Sequence, residues 1–190
     1  MTEKLSETDR NELLCIARAA IISAVNGQLQ EKLDLSGFSA ELKADGASFI
    51  TLTKSGKLRG CIGALEAYQP LVQDVQEHAI AAALEDYRFP PVKNSEVEFL
   101  KIEISCLTPL KKLDYQNNSD LLSKLRPGID GVLIRDGSRR ATFLPQVWTQ
   151  ISDRQEFMSH LCTKMGAQPD LWMKKKLEVF VYQVEEFSED

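Results

Sequence analysis

Two short turn signals constrain this chain more than any other feature. Lys54-Ser55-Gly56-Lys57 separates two runs of β-forming residues, 48–53 and 58–65, and Asp136-Gly137-Ser138 separates 129–135 from 139–144. Connections this tight join antiparallel neighbours, because parallel strands need a crossover of about a dozen residues or more. Between and around the hairpins lie helical patterns. Ser6 with Asp9 reads as a capping box ahead of Leu13, Leu14, Ile16, Ala17, Ala20, Ile21, Ala24 and Val25, and Gly27 stops the run, which predicts a helix over 7–26. Pro70 opens a second helix to about residue 85. Residues 98–107 alternate, with Leu100, Ile102, Ile104 and Cys106 on one face and Lys101, Glu103 and Ser105 on the other, which is a half-buried strand.

Further along, Ser119 is read as the cap of a short helix to Leu125, Pro145 opens a helical turn through Trp148, and Asp153 with Glu156 caps a helix carrying Phe157, Met158, Leu161, Cys162 and Met165. Pro169 starts a short helical segment, and residues 177–184 form one last strand. The fold class is therefore α+β: antiparallel sheets with helices, because two hairpins interrupt any strand–helix–strand alternation.

At 190 residues the chain buries enough surface to fold without a disulfide or metal staple. The net charge of −5 argues against a nucleic-acid partner, and the basic runs Lys174-Lys175-Lys176 and Arg135 with Arg139-Arg140 are read as solvated faces. The N-terminus has no apolar leader segment and no apolar run approaches the ~18 residues of a membrane span, so no membrane association and a cytoplasmic location are expected. Cys15, Cys61, Cys106 and Cys162 form no C-x-x-C pair, so no metal site is expected and the four are read as thiols. No phosphate-binding or dinucleotide-binding glycine loop is present, so no cofactor is expected. His78 and His160 are read as surface residues, and Trp148 and Trp172 as core.

The chemistry concentrates in Leu58-Arg59-Gly60-Cys61-Ile62-Gly63. Glycine within a strand marks a bulge or a close approach to the backbone. Alternation places Arg59 on the face of Cys61, where a guanidinium would stabilise a thiolate. Gly60 and Gly63 would leave room for a ligand beside the sulfur. The competing reading is a cysteine packed under a glycine bulge, with Arg59 reaching to solvent. Glu103 and Ser105 lie on the polar face of a strand, where a carboxylate could act as a base or orient a substrate. Arg88 sits on a proline-stiffened loop and could clamp an anion, or pair with Asp86. Thr142 and Gln146 end a strand at Pro145 and are weaker candidates.

These strings resemble the signatures of the AMMECR domain family, carried in bacteria and archaea as AmmeMemoRadiSam system protein A. Besides residues 58–63, the similarity takes in Asp86-x-Arg88-Phe89-x-Pro91, residues 102–109, Gly128-x-Asp130-Gly131, residues 141–147 and residues 157–166, nearly the whole chain. The resemblance implies a single domain over 1–190, with N- and C-terminal segments forming one lobe, the middle segment a smaller one, and a cleft between. The resemblance gives no established reaction, and one cysteine between two glycines with an arginine on its face points to an enzyme or enzyme-like protein. Cys61, Arg59 and Glu103 are its catalytic candidates, and Gly60, Gly63, Arg88, Ser105, Thr142 and Gln146 its ligand-binding ones. A Memo-type protein and a radical SAM protein are implied as partners, with any iron–sulfur chemistry belonging to the partner. The alternative is a non-catalytic adaptor or ligand-binding subunit.

Overall fold

The computed structural model describes residues 5–29 and 32–189. The chain divides into two compact units, Met1–Thr108 with Glu185–Asp190, and Pro109–Val184.

The first unit opens with helix α1 (Glu7–Val25). Its capping box forms as the sequence predicts: the Ser6 hydroxyl accepts from the Asp9 N–H at 3.1 Å, and the Asp9 carboxylate accepts from the Ser6 N–H at 3.1 Å. A short helix α2 (Ala40–Lys43) leads into strands β1 (Asp45–Lys54) and β2 (Lys57–Gly63). Their turn uses Ser55 and Gly56 at φ of 51° and 73°. A brief strand β3 (Gln69–Pro70) pairs with the start of β1, and helix α3 (Leu71–Leu84) follows. Strand β4 (Leu100–Leu107) pairs antiparallel with β1, and the sheet is completed by β9 (Val184–Ser188) in the order β2-β1-β4-β9.

Period-two alternation sends Ile50, Leu52, Ile102 and Ile104 to the face that α1 and α3 cover, where all four are fully buried against Leu13, Ala17, Ile21, Val72, Val75 and Ala79. Alanines at 17, 20, 79, 82 and 83 let the helices lie close to each other and to the strands.

The second unit holds β5 (Lys111–Lys112), α4 (Asn118–Lys124), β6 (Gly131–Asp136), β7 (Arg139–Phe143), α5 (Arg154–Lys164), α6 (Leu171–Lys174) and β8 (Glu178–Tyr182). Its sheet is wholly antiparallel in the order β5-β8-β6-β7. Trp148 stacks on Phe157 with centroids 3.6 Å apart at the centre of its core.

Three expectations need correction. The single strand over 177–184 is two strands in two sheets, divided at Gln183. No glycine or proline marks the break, so only the tertiary pairing reveals it. The cap of α4 is Asn117, whose side chain accepts from the Asp120 N–H at 3.0 Å, two residues before Ser119. His78 is buried, with Nδ1 3.1 Å from Asp74 Oδ2. Asp74 itself is fully buried and takes the Ser48 N–H and hydroxyl at 2.8 and 2.6 Å, a polar link between α3 and β1 that apolar periodicity does not announce.

Candidate functional site

Register decides which side chains meet. β1 pairs Thr51 with Cys61 on one side and with Glu103 on the other. Directly paired residues share a face of the sheet, so Cys61, Thr51 and Glu103 form one row across β2, β1 and β4, on the face opposite α1 and α3. The Thr51 hydroxyl lies 3.5 Å from Cys61 Sγ, to which it donates. With strands spaced about 4.8 Å, the row runs about 10 Å between the backbones of Cys61 and Glu103. Phe49 and Ser105 pair in the next row of the same face.

The hairpin carries a β-bulge. Thr53 pairs with Leu58 but Leu52 pairs with Gly60, which leaves Arg59 as the extra residue. Without the bulge Thr51 would oppose Gly60. With it, Thr51 opposes Cys61. The bulge also breaks the alternation that placed Arg59 beside the sulfur. The Arg59 guanidinium binds Glu96 instead, at 3.0 Å from Nη2 and 3.3 Å from Nε, and Lys54 joins the same carboxylate at 2.9 Å. The arginine, then the lysine, hold Glu96 down at about 2. Arg59 is thus a structural partner of Glu96, and its expected role as thiolate stabiliser is corrected.

The cation at Cys61 is Arg88. Asp86, at the end of α3, is buried, and its Oδ2 accepts the Cys61 N–H at 2.8 Å. Arg88 grips Asp86 through Nε at 2.8 Å and Nη2 at 2.6 Å, and Nη2 also donates to the Cys61 carbonyl at 3.1 Å. The two side chains satisfy the outward backbone groups of an edge strand, as a neighbouring strand would. The Arg88 hydrogen bonds, with the Cys61 N–H, push the Asp86 carboxyl well below the usual carboxylate range. The Asp86 carboxylate in turn, with a smaller contribution from a charge on Cys61, raises Arg88 above its ordinary value. Arg88 therefore carries an interior carboxylate rather than standing as an empty anion clamp.

The two glycines are there for packing. A Cβ on Gly60 would run into the Ala82 carbonyl of α3, on the face away from the sulfur. A Cβ on Gly63 would strike the Ser48 carbonyl and the Phe49 ring. The space expected for a ligand is already filled by the protein at both positions.

Glu103 is half-buried, and burial, reinforced by the neighbouring Glu186 carboxylate and opposed by Lys101, raises its carboxyl above the ordinary value. Ser105 is buried. Of the other thiols, Cys106 faces the helices and burial pushes it up to about 12, Cys162 is buried, and Cys15 is exposed on α1.

The remaining candidates lie in the second unit. Thr142 donates its hydroxyl to the Val132 carbonyl at 2.9 Å and meets the Tyr182 hydroxyl at 2.8 Å, which makes it a β6–β7 fastener. Gln146 is exposed, in the turn after Pro145. Asp130 is buried and gripped by Arg126 at 3.0 and 2.6 Å, and Tyr182 lies over Gly131, so that pair is an architectural corner. The sequence reading missed Thr51 and the structural importance of Asp86. A hairpin register counted from the turn misses Thr51 by one residue, because the strand glycines mark a bulge without saying which residue is the extra one.

The comparisons with known proteins agree on one family. The AMMECR1 family matches residues 14–187. The chain belongs to the AMMECR1 family. A Methanopyrus kandleri member is 38% identical over 194 residues, covering 100% of this chain and 93% of the relative. A Methanothermobacter thermautotrophicus member is 38% identical over 189 residues, covering 98% and 97%. The crystal structure of an uncharacterized Pyrococcus horikoshii protein shares the fold, with a TM-score of 0.85 and 32% identity over 94% of this chain and 90% of that one. Among the described residues no helix is long and apolar enough to cross a membrane.

Proposed function

We propose that this AMMECR1-family protein is a cytoplasmic cysteine-dependent enzyme acting on a small electrophilic substrate laid across the Cys61–Thr51–Glu103 row. The observation that supports it most is that row: a half-buried thiol, a hydroxyl donating to it, and a carboxyl raised by burial, in register on one sheet face. In this reading the Cys61 thiol gives its proton to solvent and the thiolate attacks an acyl carbon, so that a carbon–sulfur bond forms as the bond from that carbon to the leaving group breaks. The leaving group takes its proton from the Glu103 carboxyl, which is reprotonated from solvent. Thr51 orients the sulfur, while Asp86 and Arg88 fix the Cys61 backbone. A Memo-type and a radical SAM protein are the proposed partners on the strength of the family resemblance.

The test is intact-mass spectrometry after incubation with a simple acyl thioester. An adduct on Cys61, absent in Cys61→Ser and formed more slowly in Glu103→Gln, supports the enzyme. No adduct, together with retained folding, favours a non-catalytic adaptor in which the same face docks a partner. The packing role of Gly60 and Gly63 is what speaks for that second reading.

A further inference from the structure

If Cys61 attacks an acyl carbon, the sheet also decides which way the rest of that substrate lies. Alternation along β4 sets Lys101, Glu103 and Ser105 on the face of the thiol row, and their exposure is graded: Lys101 is exposed, Glu103 half-buried and Ser105 buried. On β1, Thr53 pairs with Lys101 on one side and with Leu58 on the other. Leu58, Thr53 and Lys101 therefore form the neighbouring row of the same face, on the side of the hairpin turn. Leu58 is 44% exposed, and Thr53 is half-buried. A substrate held at the thiol extends toward this row, because the Ser105 side is already covered. The step between the rows is about 7 Å, and the diagonal from Cys61 to Lys101 is about 12 Å between backbones. A lysine side chain crosses enough of that distance to meet the end of a short acyl chain.

The other cations near the thiol are committed to the protein. Arg88 is bound to Asp86, while Arg59 and Lys54 share Glu96. Lys101 is not: among the described residues it forms no ion pair, and the carboxyl that feels its charge is Glu103, which burial and Glu186 raise and Lys101 opposes. We propose that Lys101 sets the substrate specificity of the Cys61 row by binding a carboxylate at the far end of the acyl chain. This rests on the enzyme reading of Cys61 and names its substrate class, an acyl group with a second, anionic end. The surroundings fit an anion of that size. Glu103, in the acid form that protonates the leaving group, carries no charge to repel it. Glu186 belongs to β9, which lies on the side of β4 away from β1 and Cys61. A single ammonium pairs with a single carboxylate as a point charge, whereas the fork of an arginine is the better match for bidentate phosphate recognition. Leu58 offers an apolar flank to the methylenes between the two ends.

The test compares acetyl, glutaryl and β-alanyl thioesters of one small thiol with the full chain, timing the acyl adduct mapped to Cys61 and subtracting the Cys61→Ser background. The neutral acetyl probe reads the chemistry alone, and the glutaryl and β-alanyl probes add a carboxylate or an ammonium. At low ionic strength the glutaryl probe is expected to react about three- to fivefold faster than the acetyl probe, and the β-alanyl probe slower. The glutaryl preference is expected to shrink in high salt, to vanish in Lys101→Gln, and to reverse toward β-alanyl in Lys101→Glu. Lys101 is exposed, so these variants leave the core untouched. A lysine that acts only through the acidity of Glu103 would change all three rates by one factor and leave their ratios fixed, which overturns the proposal. Equal acetyl and glutaryl rates in the unaltered chain overturn it too, with the enzyme reading intact. No Cys61 adduct with any of the three removes the enzyme reading and this inference together.

Discussion

At the scale of single residues, the most informative feature is how many demands meet at Cys61. Its side chain pairs with Thr51, its N–H with Asp86 and its carbonyl with Arg88. A residue tied at three points presents its sulfur in one orientation, which is what a nucleophile requires and a loosely packed cysteine lacks. Gly60 carries no comparable chemistry but sets the geometry. Gly60→Ala is expected to push α3 off β2 and cost about 1–3 kcal/mol, read as a lowered denaturation midpoint. An unchanged midpoint would mean that the helix yields at no cost. Asp86→Ala leaves Arg88 and the Cys61 N–H without their acceptor, and a loss of about 2–4 kcal/mol is expected in the same measurement.

At the scale of elements, the hairpins and both long helices were legible because each has local punctuation. Examples are the reciprocal Ser6–Asp9 cap, the Ser55-Gly56 turn, Pro70 ahead of α3, and Gly137 in the second turn. The switch of sheet at Gln183 was not legible, because it arises from pairing with distant strands, and the glycines of β2 announced a bulge without fixing Arg59 as its extra residue. The candidate site suffered accordingly. Cys61 and Glu103 were singled out from their strings, but the arginine expected beside Cys61 was Arg59, which binds Glu96, whereas Arg88 is the one that reaches the Cys61 carbonyl.

The Glu96 cluster, which fastens the bulge, gives a pH prediction. Its folded value, about 2, lies below the ordinary 4.5. Its stabilisation is therefore fully present above about pH 4.5 and is lost as pH falls toward 2. Glu96→Gln is expected to lower stability by about 1–2 kcal/mol at pH 7, and by less at pH 3 than at pH 7. A deficit that stays constant between the two would contradict the ion-pair account.

For the whole molecule, the chain's end returns to the first unit. The Glu189 carboxylate takes Arg18, and accepts from the Ile102 N–H at 3.0 Å, while Glu185 pairs with Arg10 at 2.7 Å. Arg18 also donates to the carbonyls of Val97 and Leu100. Removing residues 185–190 is expected to lower the melting temperature of the first unit while leaving the Trp148–Phe157 core of the second intact. Tryptophan fluorescence reports the second unit alone, since both tryptophans lie there. Equal loss in both would show that the two unfold as one.

The account stands most directly on whether the Cys61 sulfur can be reached in the folded protein. In the Cys15→Ser variant, which removes the exposed competitor on α1, iodoacetamide at neutral pH followed by peptide mapping answers this. The predicted result is labelling at Cys61 alone, within about tenfold of the rate of an unstructured thiol, with Cys106 and Cys162 unlabelled until denaturant is added. Cys61 that stays unlabelled until the protein unfolds, or that labels no sooner than Cys106, would contradict it.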